Sequence, residues 1–83
     1  MKTTRYFVEQ VLRKRAYLPT EQFAEVLAAP LRQTAQADGR IRHWGRVTDP
    51  RDGRERVLRI VTLDDGETVH NAFFDRGYQE DAP

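Results

Sequence analysis

Residues 40–47 read RIRHWGRV, and the way this stretch is laid down decides the fold. As a β-strand, with successive side chains on opposite faces, it separates Arg40, Arg42, Trp44 and Arg46 from Ile41, His43, Gly45 and Val47. Guanidinium groups and an indole are poor material for a core. The strand therefore predicts a sheet with one packed face, under Ile41 and Val47, and one open face rich in arginine.

The flanking sequence supplies the rest of that sheet. Asp38-Gly39 is a strong hairpin signal, and the segment before it, LRQTAQA (31–37), is a candidate strand. After it, DPRDGRE (49–55) reads as a longer turn. RVLRIVTL (56–63) is a near-continuous apolar run suited to a central strand. Asp65-Gly66 closes the next turn, ETVHNAFF (67–74) is the last strand, and the polar tail DRGYQEDAP (75–83) is expected to fray.

Towards the N-terminus the period changes. TRYFVEQVLRKR (4–15) places Phe7, Val8, Val11 and Leu12 at helical spacing. Thr4 suits its start, and Arg13-Lys14-Arg15 suits the negative end of its dipole. After the turn YLPT, Thr20 is a candidate N-cap for TEQFAEVLAAP, with Phe23, Val26 and Leu27 as the apolar stripe and Pro30 as the stop. The order α-α-β-β-β-β predicts an α+β domain over residues 1–83, with two N-terminal helices packed on one face of a four-stranded antiparallel sheet.

Composition narrows the chemistry. With 83 residues, 39% hydrophobic and 33% charged, the chain suits one small globular domain. It has no cysteine and no serine, which excludes thiolate metal sites, disulfides and both nucleophiles. The lack of cysteine fits a cytoplasmic protein. No long apolar run predicts a signal peptide or a membrane span. His43 and His70 form no metal-binding pattern, and the glycines form no phosphate loop, so neither metal nor cofactor is expected.

Net charge is only +1, but it is unevenly spread. From Lys2 to Arg15 five basic residues (Lys2, Arg5, Arg13, Lys14 and Arg15) stand against Glu9 alone, and seven arginines lie between Arg40 and Arg59. From Asp64 onward carboxylates dominate. An arginine-rich sheet face with Trp44 on it predicts contact with phosphates and bases, through Arg40, Arg46 and Trp44. The side chains present are also those of RNA cleavage by general acid–base catalysis. His70 suits proton transfer near neutral pH, Arg42 and Arg76 suit clamping of phosphate oxygens, and Tyr78 lies nearby. Arg42 and His43, adjacent in sequence, share a face only across a bulge.

The segments DGRIRHWGRV and VLRIVTLDDGETVHNAFFDRGY, with a helix ending in LRKR, resemble small bacterial proteins grouped with RelE- and BrnT-like toxins. The resemblance runs from about Tyr6 to Tyr78. It implies a RelE-like domain that cleaves RNA without a metal and is held inactive by an antitoxin protein. The matching positions would be Arg15, Arg42, His70 and Arg76. The acidic C-terminal third and the scarcity of lysine depart from the more basic toxins, whose RNA affinity rests on phosphate neutralisation. Two readings stand beside the ribonuclease: an RNA- or DNA-binding module using the same face, and a protein-interaction domain with Trp44 and the arginines as its hot spot.

Overall fold

The computed structural model describes residues 1–79. Its centre is a four-stranded antiparallel meander in the order β1-β2-β3-β4: β1 is Arg32–Ala35, β2 Ile41–Thr48, β3 Glu55–Thr62 and β4 Val69–Phe74. The turn chemistry explains the order. Gly39 closes the β1–β2 hairpin at φ 89°, a conformation open to glycine at little cost. The β2–β3 hairpin is fastened differently. Asp49, its side chain wholly buried, accepts hydrogen bonds from the Arg51 side chain and lies 3.1 Å from Arg56 Nε. Arg51 in turn stacks on Tyr17, with its Cζ 3.9 Å from the ring centroid.

The expectation of two helices packed on the sheet is corrected. Among the described residues there is one helix of nine residues, a 3-10 turn at Thr20–Gln22 running into α1, Phe23–Ala28. The first apolar stripe forms a short π-helical turn, Phe7–Leu12, with the wider i→i+5 winding. Its ends explain this. Before it, the Thr4 amide donates to the Val69 carbonyl; after it, Arg15 Nη1 donates to the Ala72 carbonyl at 3.1 Å. A six-residue segment tied to β4 at both ends takes its winding from those ties rather than from helix propensity. Phe7 and Val11 turn inward, while Val8, counted in the stripe on α-helical spacing, is half exposed. Among the described residues no helix is long and apolar enough to cross a membrane.

The packed face follows the alternation read from β2. Phe7, Val11, Phe23 and Val26 meet Val47, Leu58, Ile60, Val69 and Ala72 in one buried cluster. Gly45 sits where α1 crosses β2, and a Cβ there would stand 2.7 Å from a Val26 methyl. His43 also points inward, where its Nε2 bonds Thr62 Oγ1 at 2.9 Å and its Nδ1 has no partner among the described residues. Burial lowers its pKa, so it is a neutral core histidine. The N-terminus adds a contact that the sequence did not announce: Thr3 pairs parallel to Val69, on the outer side of β4.

Candidate nucleic-acid interface

Register places four residues in one row across the open face. Arg32 pairs with Trp44, Trp44 with Arg59, and Arg59 with Phe73. Guanidinium and ring alternate along the row, and Arg15 extends it from beyond the sheet edge. Arg32 lies 5.7 Å from the Trp44 ring, Arg59 5.8 Å from Trp44 and 4.3 Å from Phe73, and Arg15 5.9 Å from Phe73. At roughly 0.5–1 kcal/mol per contact the ladder is worth as much as a few hydrogen bonds. It also explains why like charges tolerate one another there, since a ring stands between each pair of arginines.

The ladder takes Trp44 out of play as an open platform. Its ring is only 7% exposed, its Nε1 donates to Asp75 Oδ2 at 2.9 Å, and Tyr78 leans over it with centroids 6.0 Å apart. Arg15 is likewise engaged, donating to Asn71 Oδ1 and the Ala72 carbonyl. Both are supports beneath the face rather than its outer contacts.

A depression lies on each side of the ladder, each of about 500 Å³, so size does not distinguish them. Their linings do. The first holds Arg46, Arg76 and Tyr78 from the expected set, but also Glu55 and Asp75, and Arg46 Nη1 stands 3.8 Å from Glu55. The second holds Arg40, Arg42, Arg59 and His70 with Tyr6 and Asn71, and among the described residues no carboxylate lines it. The expected catalytic trio is thus divided: Arg42 and His70 share one depression, while Arg76 lines the other.

A bulge makes the second depression possible. Val61 pairs with Asn71 and Thr62 with Val69, which leaves His70 as an extra residue opposite no partner. Val69 stays in the core while His70 and Asn71, neighbours in sequence, both line the depression. His70 is then held by the N-terminal segment. Its Nδ1 is 3.0 Å from Thr4 Oγ1, and its ring stacks on Tyr6 at 4.8 Å and 24°. Burial lowers its pKa, Arg40 lowers it further, and Asp38 opposes both, so the ring is neutral at pH 7. Arg59 presents a buried Nε with no acceptor, and neither it nor Arg42 has a carboxylate partner among the described residues. Arg40 is 3.8 Å from Asp38.

Arg59, Tyr6 and Asn71 were missed from sequence. Arg59 lies in the most apolar strand, and only the β2–β3 register brings it between two rings. Tyr6 lies on a helical segment far from β4 in sequence. The single available signal was alternation within RVLRIVTL, which puts Arg59 on the side away from Leu58 and Ile60.

Compared with family models, curated proteins and solved structures, the chain has no match.

Proposed function

We propose that the protein acts on RNA at the Arg40–Arg42–Arg59–His70 depression, cleaving it by attack of a ribose 2′-OH on the adjacent phosphorus. The observation that carries this reading is a neutral, positioned histidine in a depression with three guanidinium groups and no lining carboxylate. In the reaction the 2′-oxygen bonds to phosphorus and the P–O5′ bond breaks. The 2′ proton passes to a base and the 5′ oxygen gains a proton, with His70 serving one transfer and water the other. Arg40, Arg42 and Arg59 offset the charge that accumulates on the phosphoryl oxygens. Arg46, Arg76 and Tyr78, across the ladder, are placed to hold flanking nucleotides. A protein covering this face, as the resemblance to toxins implies for an antitoxin, would inhibit it, and the cytoplasm is the matching compartment.

One observation favours a second reading, binding without cleavage: Arg76 and Tyr78 both line the other depression, which removes one phosphate clamp and, among the described residues, leaves His70 and Tyr6 as the proton-transfer groups lining this one. The test is incubation of mixed-sequence RNA with purified protein in EDTA, with His70→Ala and Arg42→Ala alongside. Products ending in 2′,3′-cyclic phosphate, lost in both folded variants, support the enzyme. Intact RNA that is nevertheless bound supports the second reading, and RNA neither bound nor cut overturns both.

A further inference from the structure

The proton positions around His70 follow from hydrogen-bond accounting. Thr4 Oγ1 accepts the Phe7 amide at 3.1 Å and lies 3.0 Å from His70 Nδ1. A hydroxyl has one proton to donate and two lone pairs. Were Nδ1 protonated, both lone pairs would be filled and the hydroxyl proton would have no acceptor among the described residues. With Nδ1 bare, the hydroxyl donates to it while still accepting the Phe7 amide. The second arrangement is favoured because it keeps the hydroxyl's one proton in a bond within the chain. The ring proton then resides on Nε2, which makes no bond within the described residues, in a ring that lines the depression.

Asn71 is fixed in the same sense. Its Oδ1 accepts Arg15 Nη1 at 3.3 Å and the Ala72 amide at 2.9 Å, so its side-chain NH2 is what remains to offer. Arg40, Arg42 and Arg59 carry donors only.

We propose that Thr4 and Arg15 are positioning residues that set His70 and Asn71 with their N–H groups free, so that the depression receives a phosphoryl group on donors and His70 enters as a hydrogen-bond donor, not as the base. This rests on the phosphate-binding part of the reading above and puts a hydrogen bond to the phosphoryl group in place of the proton transfer given there to His70.

The test is NMR of ¹⁵N-labelled protein, titrated with inorganic phosphate, with His70→Gln used to separate the signals of the two histidines. Expected is a bare Nδ1 and a protonated Nε2 at neutral pH, with Nε2 and the Asn71 NH2 moving saturably as phosphate is added. Thr4→Val should mix the tautomers, while Thr4→Ser keeps the wild-type pattern. A protonated Nδ1 in the wild type, a wild-type pattern in folded Thr4→Val, or resonances unmoved by phosphate would each overturn the proposal. Failure to cleave RNA with these signals as expected keeps the phosphate receptor and removes only the cleavage. Cleavage with His70 protonated on Nδ1 removes only the donor role.

Discussion

Arg59 Cζ stands 4.3 Å from the centroid of Phe73, its cross-strand partner, and the buried Nε of that guanidinium has no acceptor among the described residues. Stacking holds the group in place, and its charge is unanswered within the depression. Arg59→Met keeps the stem and removes the charge. It should weaken single-stranded RNA binding and reduce the slope of log affinity against log salt by about 0.7. Arg59→Lys should restore little, since an ammonium is a strongly hydrated point charge without a planar face to stack. Anisotropy of labelled RNA across about 50–200 mM salt reads both.

Arg42 and Arg76 should separate sharply. Arg42 lines the depression with His70, and Arg42→Ala should cost about tenfold in RNA affinity, the order expected of one charged hydrogen bond. Arg76→Ala should stay within about twofold, as for an exposed charge at the rim. Equal losses in the same binding assay would contradict the division of the face by the ladder.

Gly45→Ala should destabilise the fold by about 1–3 kcal/mol, because the new methyl meets Val26 at 2.7 Å and the α1–β2 contact must open. Val26→Ala should recover part of that loss in the double variant. Urea midpoints of the four proteins give the coupling directly.

Arg51 beside Asp49 holds its carboxyl at about 2, below the ordinary 3.8. A depressed carboxylate stabilises the fold fully above its unfolded value. That contribution should therefore be lost as pH falls from about 4 to 2. Asp65, also held at about 2 by the Thr68 hydroxyl and amide, acts over the same window. Asp49→Asn should flatten the fall in melting temperature there without abolishing it.

His43 acts earlier in an acid titration. Its folded pKa is lowered from 6.5 by burial, so below pH 6.5 the unfolded chain takes up the proton more readily and stability declines. His43→Gln, which keeps a bond to Thr62 within reach, should remove the decline that begins there. Melting curves between about pH 7 and 5 decide it, and an unchanged slope would assign the loss elsewhere.

The strands were legible because their signals are local. Asp38-Gly39 and Asp65-Gly66 mark turns by their own chemistry, and alternation in RIRHWGRV sorts inward from outward residues within one strand. What failed depended on distant neighbours. Val8 fits an α-helical stripe, but ties at Thr4 and Arg15 impose a π turn on its segment. Alternation puts Trp44 on the open face but leaves its exposure open, because its cover, Arg32, Arg59 and Tyr78, comes from separate parts of the chain. The grouping of Arg42 with His70 and the exclusion of Arg76 depend on the bulge at residue 70, which no residue type announces.

The pairing of Thr3 with Val69 also sets a timetable. The bond between Thr4 and His70 spans 66 positions, whereas each hairpin of the meander closes over a short loop. Closing so large a loop is slow and entropically costly, so the depression is completed after the sheet around it. A nascent chain on the ribosome carries the arginines of β2 and β3 before residue 70 emerges. Thr4 and Tyr6 are made first and wait for the ring, so both of its contacts form in one late event, once synthesis has passed residue 70.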